Sequence, residues 1–186
     1  AYAASKGGTA SSGGLAIGVA VAGNTMTQRT KAYSEGSTIH AGGDIELGAE
    51  SATEIDALAV GIAGSLSRGS GTTGALAGAG SGVTNTIDNV IEAFITNSTD
   101  DGSVSDIDAG GSLTVSALDR STICADAAGV AISAALAKSN GSSYGVAVGV
   151  SVADNDINNE IRATIDNRSV PSSGTPSVLA GGDVSL

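Results

Sequence analysis

The sequence predicts an all-β protein with a repetitive β-solenoid (β-helix-like) fold, long strands and about 60–70 residues in each repeat unit. Three observations predict this fold: residues alternate with period two, two blocks of sequence recur, and the side chains are small. Aromatic residues make up 2% of the chain, and 28 of its 186 residues are glycine. Such side chains suit closely spaced backbone layers. We expect one continuous array over residues 1–186, a fragment of a longer array, with approximate repeats 1–65, 66–135 and 136–186.

The first recurring block is anchored on an asparagine. It appears as "GVAVAGNTMTQRTKAYSEG", "GAGSGVTNTIDNVIEAFITN" and "GVSVADNDINNEIRATIDN", which superimpose on Asn24, Asn85 and Asn155 at separations of 61 and 70 positions. The second copy alternates between mainly apolar and mainly polar positions. Its apolar face carries Val83, Asn85, Ile87, Asn89, Ile91, Ala93 and Ile95. Period two with many β-branched residues predicts a strand and argues against a helix.

The second recurring block begins with Ala-Gly-Gly at Ala41, Ala109 and Ala180, at separations of 68 and 71 positions. It also alternates with period two. The two later copies carry seven or eight extra residues between the blocks, within "STDDGSVSD" and "RSVPSSGTPS". Insertions at one fixed place, rich in turn-forming and charged residues, predict an outer loop.

Two sets of amides recur at equivalent positions and share the apolar face. If the repeats stack, the amides in each set lie above one another and each can donate a hydrogen bond to the next. Because a buried amide without a partner costs about 1–3 kcal/mol, such a structural ladder would hold the repeats in register. The alternative is that these amides face solvent near a bend. The ladder candidates are Asn24, Asn85 and Asn155 in one row and Gln28, Asn89 and Asn159 in the other.

A third feature is a pair of arms that are apolar on both faces, joined by a predicted turn at "KSNGSS". Strands of this kind need a covering layer, either from the same chain or from a neighbouring one. Small residues on one face would allow the layers to approach closely. The other face is the predicted packing interface, which consists of Val130, Ile132, Val146, Val148, Val150 and Val152.

The net charge of −11 and the pI near 4.1 exclude a large phosphate-neutralising surface, so we expect no nucleic-acid partner. No segment has the length of a membrane span. Acidic side chains cluster in one predicted loop, where oxygen ligands suit weak calcium binding, although the loop matches no EF-hand. The alternative is a solvated acidic loop, and calcium is the one cofactor we consider. The candidate ligands are Asp100, Asp101, Asp106 and Asp108.

The phrases "AGGDIELGAES" and "AGGSLTVSALD" resemble the strand repeats of filamentous-haemagglutinin-like giant bacterial surface adhesins and related long β-strand-repeat extracellular proteins. The resemblance covers most of the chain as a style of repeat. It implies a right-handed parallel β-helix, a role in adhesion or in an extracellular fibre, and a location outside the cell or on its surface. The repeat is longer than is usual in that family.

These features predict a structural repeat segment of a secreted or cell-surface bacterial adhesin or fibre, and no enzyme. The expected partners are adjacent repeats or identical chains, and a host or cell-surface glycan or protein. The first alternative is a string of calcium-dependent β-sandwich adhesion domains. The remote alternative is a β-helix enzyme acting on polysaccharides. We assign no catalytic residue, because His40 is expected to lie outward and Cys124 has no basic partner nearby.

Overall fold

The computed structural model describes residues 1–7, 11–97, 103–138, 140–166 and 177–186, and within these ranges the chain forms thirteen strands and no helix. Two of the strands are 24 residues long, because the period-two alternation continues without a break. The strands are β1 (Tyr2–Lys6), β2 (Ser12–Glu35), β3 (Thr38–Ala41), β4 (Ile45–Ser51), β5 (Glu54–Gly69), β6 (Thr73–Thr96), β7 (Asp106–Ala109), β8 (Leu113–Asp119), β9 (Thr122–Ala137), β10 (Ser143–Ile157), β11 (Glu160–Asp166), β12 (Ser177–Ala180) and β13 (Val184–Ser185).

The sheets join equivalent strands of different repeats. Three sheets have the strand orders β1-β5-β9, β12-β7-β3 and β13-β8-β4, and in a fourth β6 pairs with β2, β10 and β11. Pairing is parallel: Ile107 lies beside Ile39 on one side and beside Val178 on the other. These partners are 68 and 71 positions apart, as are the Ala-Gly-Gly blocks. The prediction of an all-β fold is confirmed, and its strands pair in parallel.

Clustering by contacts divides the chain into two compact units. Unit 1 comprises Ala1–Asn24, Ile55–Asn85 and Ile123–Asp156, and unit 2 comprises Thr25–Glu54, Thr86–Thr122 and Ile157–Leu186. Each unit therefore combines three separate segments of the chain, and two segments of unit 1 cross the predicted boundaries, so the units differ from the repeats 1–65, 66–135 and 136–186. The expectation of one continuous array stays a prediction.

The interior of unit 1 is built from small side chains. Its buried hydrophobic cluster consists of Ala16, Ala63, Ala77 and Ala79, against which Ala3 and Ala131 pack. A Cβ atom added at Gly61 would overlap the carbonyl oxygen of Gly80, so these two backbones touch directly. At that separation only glycine fits, and β5 and β6 are consequently packed closer than sheets that interdigitate large side chains.

Unit 2 has a core of larger aliphatic side chains. Strands β4, β6, β7 and β8 supply its buried residues, which come from three different sheets. Ile91, Ile107 and Leu113 are among the largest fully buried side chains. The complete buried cluster is Ala49, Ile91, Ala93, Ile95, Ile107, Ala109, Leu113 and Val115.

Two turns require a left-handed backbone. Asn140, in the turn between β9 and β10, has a φ of 74°, which asparagine tolerates better than most residues. Gly36, which follows β2, has a φ of 52°. Strands β9 and β10, on either side of Asn140, belong to different sheets.

Candidate functional site

One amide row is continuous through all three repeats of unit 1. The Nδ2 atom of Asn24 donates to Oδ1 of Asn85 at 2.9 Å, and Nδ2 of Asn85 donates to Oδ1 of Asn155 at 2.8 Å. Asn85 is fully buried, whereas Asn24 and Asn155 are exposed at the two ends. Hydrogen bonds to two neighbouring amides therefore replace the bonds to water that the central amide loses on burial. The amides of Asn24 and Asn155 can each form a hydrogen bond with one further partner.

The second row, in unit 2, differs from the predicted ladder. Oε1 of Gln28 accepts hydrogen bonds from the hydroxyls of Ser51 and Thr53, and Nδ2 of Asn89 donates to Thr53 at 3.0 Å. The side chains of Gln28 and Asn89 are thus bridged by the hydroxyl of Thr53, which lies in the connection between β4 and β5. That hydroxyl lies far away in sequence, and the recurrence of the amides gives no indication of it.

On its other side, Asn89 meets the third repeat through its backbone. Its N–H donates to Oδ1 of Asn159 at 2.9 Å, while its side-chain Nδ2 also donates to Ser121 at 3.1 Å. Nδ2 of Asn159 donates to Asp119. Oδ1 of Asn89 is buried and has no hydrogen-bond partner among the described residues. This row connects the repeats through mixed contacts, with no direct bond between side-chain amides.

The calcium candidates are not brought together. Asp100 and Asp101 lie outside the described residues. Asp106 and Asp108 lie on strand β7, so the prediction that places them in a loop is wrong for these two. The carboxylate of Asp108 is 3.8 Å from Nδ1 of His40 on the neighbouring strand β3. In the described ranges no three acidic, histidine or cysteine side chains form a group that could hold a metal ion.

The predicted packing residues lie on two different sheets, which corrects the expectation of one shared face. Val130 and Ile132 point outward from β9, and their small neighbours on β9 point inward. The other four, Val146, Val148, Val150 and Val152, are 51–61% exposed on β10. The small sides of the two arms face each other, because a Cβ atom at Gly149 would meet the carbonyl oxygen of Gly129, and the large sides therefore face away. A Cβ atom at Gly129 would be 2.6 Å from the carbonyl oxygen of Val150.

The aliphatic surface extends beyond the predicted residues. Strand β2 exposes Leu15, Ile17, Val19 and Val21, and strand β5 exposes Leu58, Val60 and Ile62. The sequence does carry a signal for this surface, because small and large apolar residues alternate along both strands. This alternation predicts the exposed surface only once it is known that the small residues form the interior.

Charged side chains cluster on the outside of unit 2. Nζ of Lys31 is 2.7 Å from Oε2 of Glu92, and a guanidinium nitrogen of Arg162 is 3.7 Å from Oε1 of the same carboxylate. The hydrogen bond from Lys31 is the main cause that holds the pKa of Glu92 below its ordinary value. Lys31 also lies 5.6 Å from the ring centroid of Phe94, which stacks on Tyr33 at 5.4 Å. These partners come from equivalent positions of different repeats.

The chain matches no protein-family model, and no curated protein and no solved structure is significantly similar to it. The resemblance to filamentous-haemagglutinin-like adhesins therefore stays an expectation from the sequence. Within the described parts of the chain there is no helix with the length and apolar character needed to cross a membrane.

Proposed function

We propose that the chain is a structural repeat segment of a secreted or cell-surface bacterial adhesin or extracellular fibre, which acts by stacking its repeats as a β-solenoid. One observation carries the proposal: equivalent strands of consecutive repeats pair in parallel. The register between Ile45 and Leu113 has the same separation as that between Thr38 and Asp106, although the two pairs belong to different sheets. A chain that repeats its own pairing can extend by adding one strand to every sheet.

The ends of the stack support this proposal. In each three-stranded sheet the two flanking strands pair on one side only, so each has an edge available. The exposed amides of Asn24 and Asn155 lie at the two ends of the buried row of unit 1. A further repeat would pair with both the backbone edges and the amides. Adjacent repeats or identical chains are therefore the first partners that we propose.

A second class of partner is a glycan or protein on a host or cell surface. The exposed aliphatic side chains of unit 1 support a protein contact, because monomeric proteins rarely expose a large apolar patch. In this proposal the stack is the scaffold and the outer faces are the contact surfaces.

Neither alternative has a specific observation in its favour. β-Sandwich domains pair their strands antiparallel and use strands of about 5–10 residues. By contrast, Gly36 donates to Thr96 and Ser12 donates to Thr72 at one constant separation, as expected for parallel pairing of β2 with β6. A polysaccharide-acting enzyme would need polar groups that converge in a cleft, whereas the side chains of Gln28 and Asn89 donate to or accept from neighbouring residues of the fold.

The proposal is tested by electron microscopy and fibre diffraction of the concentrated chain. We expect filaments with a reflection near 4.8 Å along the filament axis, because stacked strands repeat at about that spacing. Discrete beads without that reflection would contradict stacking between chains. Protease added to intact cells should remove the segment if it is on the cell surface, and its complete protection would contradict the proposed location.

The amide row offers a test of stacking that needs no filament. Asn85→Ala removes two buried hydrogen bonds and opens a small cavity, so we expect the free energy of unfolding to fall by about 2–4 kcal/mol. The matched control is Asn24→Ala, which removes one bond at the exposed end, where water can replace the lost donor to Asn85, so it should cost less than about 1 kcal/mol. Denaturant unfolding of both variants measures the difference. Equal losses would mean that the row does not hold the repeats together.

A further inference from the structure

The outer face of the β1-β5-β9 sheet in unit 1 is a continuous apolar surface, which we call face A. Six aliphatic side chains form it, each 41–68% exposed: Leu58, Val60, Ile62, Val130, Ile132 and Leu136. Tyr2 extends the surface, because β1 pairs with β5 and places this residue beside Gly64, whose missing side chain leaves room for the ring.

The area of face A is close to that of a protein interface. With roughly 100 Å² exposed on each of these seven side chains, it presents on the order of 700 Å² of apolar surface. The largest apolar patch of a typical soluble monomer is about 300–600 Å². A standard interface buries about 800 Å² on each partner. Face A therefore has the area that a stable dimer needs.

Opposite charges lie at the two ends of face A. Lys6, Arg68 and Lys138 line a cavity of about 340 Å³ at the end where β5 finishes. Asp56 and Asp126 line a cavity of about 230 Å³ near the other end. At about 3.3 Å per residue, roughly 40 Å separates the two ends.

These five charges have no ion-pair partner among the residues that the structure describes. Every ion pair found there involves other side chains. The basic end holds three like charges on neighbouring strands, since Lys6 pairs in register with Arg68. Like charges placed side by side repel each other. An acidic partner at this end would relieve the repulsion.

A second copy of the chain supplies such a partner. A two-fold axis that runs across the strands would lay one face A on another with the strands antiparallel, so that each basic end meets an acidic end. An axis at Ile62 would place Arg68 opposite Asp56 of the other copy. An axis at Ile132 would place Lys138 opposite Asp126. The backbone hydrogen bond from Lys138 to Gly69 places Ile132 beside Gly64, which is two residues from Ile62. The two axis positions are therefore so close that one axis brings both pairs of charged side chains within reach of each other.

We infer that face A is the surface through which two antiparallel copies of this chain associate. The inference rests on the proposed scaffold function, because it names the partner and orientation for lateral packing. It is restricted to face A. The other aliphatic face of unit 1, on β2, β6 and β10, has carboxylates at Asp154 and Asp156 near one end and no basic cluster at the other within the described ranges.

The first test is sedimentation velocity of the 186-residue chain. At about 100 µM we expect a dimer, since interfaces of this area bind with micromolar or tighter constants. Arg68→Glu and Asp56→Arg should each raise the dimer dissociation constant at least about tenfold, because each variant opposes like charges at both ends of its own dimer. Asp88→Arg is the matched control. It makes the same change of charge on the outside of unit 2 and should leave the constant unchanged.

Mixing the two variants isolates the proposed orientation. In an equimolar mixture of Arg68→Glu and Asp56→Arg, the two substituted positions would meet at one end with their charges exchanged, and the native pair would meet at the other. A mixed dimer should therefore form within about threefold of the native constant. A mixture that stays monomeric would overturn the antiparallel arrangement. Circular dichroism melts of each variant show that the fold is retained.

Cross-linking gives an independent measure of the same axis. In a Cys124→Ser background, a bis-maleimide reagent that spans about 10 Å should cross-link Ile62→Cys into a dimer, because the axis places two copies of this position opposite each other at the spacing of packed sheets. Val19→Cys on the other aliphatic face is the control and should remain monomeric. Equal cross-linking at both positions would overturn the assignment to face A.

The outcomes separate this inference from the proposed scaffold function. A native chain that stays monomeric at about 100 µM would overturn the inference, and the Asn85→Ala test would still stand for stacking. A monomer that binds phosphatidylcholine vesicles would assign face A to lipid and overturn the dimer. A dimer whose dissociation constant is unchanged by both charge reversals would also contradict the inference.

Discussion

Units 1 and 2 are both built from parallel strands, but they distribute large and small side chains differently. In unit 1 most inward positions hold alanine, glycine and serine, with Ile55 and Val83 as buried exceptions, and most large aliphatic residues point outward. In unit 2 the inward positions hold isoleucine, leucine and valine. Strand β6 carries both patterns, because its burial alternates from end to end while its inward residues change from Ala75 to Ile95.

The difference shows that burial alone does not identify how each unit is stabilised. Alanine and glycine bury little apolar area, so unit 1 gains less from the hydrophobic effect and more from dispersion between closely spaced backbones. Unit 2 gains from large buried side chains. Consequently unit 1 should be sensitive to added volume, and unit 2 to removed volume.

The largest expected effect is that of added volume inside unit 1. Gly61→Val would press its side chain into the carbonyl oxygen of Gly80, which is rigid backbone and cannot rotate away. We expect a loss of more than about 4 kcal/mol in the free energy of unfolding, at the upper end of the cost of overpacking. Hydrogen exchange should show that the loss of protection is greatest in unit 1.

Gly78→Val is the matched control for that variant. Gly78 lies on the same strand as Gly80, and a Cβ atom there would contact nothing within 4 Å. The substitution favours the strand conformation, so we expect no loss of stability. If the two variants behaved alike, close backbone contact would not be what distinguishes unit 1.

The next largest effect is that of removed volume in unit 2. Ile91 is fully buried, and Ile91→Ala should cost about 2–5 kcal/mol through lost burial and the remaining cavity. Ile17 lies in unit 1 and is 63% exposed, so Ile17→Ala should cost less than about 1 kcal/mol. Denaturant unfolding of the two variants compares the same chemical change in the two units. A similar cost for both would show that Ile17 is covered in solution.

Much of the pairing could be predicted from the sequence, because repeats at constant separation specify which strands are neighbours. The separations of Asn24, Asn85 and Asn155 match the hydrogen-bonded row, and the alternation from Val83 to Ile95 matches the buried positions. Repetition is informative here since parallel stacking places like residues beside each other.

The remaining features depend on contacts between different strands. When both faces of a strand are apolar, alternation defines two faces without indicating which lies inside, and this is why Val130 and Val146 could not be assigned to separate sheets. The bridge from Thr53 to Asn89 also joins residues that no repeat relates. The charges of Lys6, Arg68 and Lys138 gather only once β1, β5 and β9 are side by side.

The smallest expected effect is electrostatic and belongs to unit 2, which contains all ion pairs found among the described residues. The pKa of Glu92 is lowered from 4.5 in the folded state by the hydrogen bond from Lys31, so the folded protein binds this proton less readily than the unfolded chain. The resulting stabilisation is complete above about pH 4.5 and is lost as the pH falls through the lower, folded pKa. Glu92→Gln should therefore reduce the free energy of unfolding at about pH 7 by less than about 1 kcal/mol, because the pair is only partly buried, and should have a smaller effect in acid, at about pH 3. Glu46→Gln, an exposed carboxylate without an ion pair among the described residues, is the control. An equal loss at both pH values would mean that packing, and not charge, makes Glu92 stabilising.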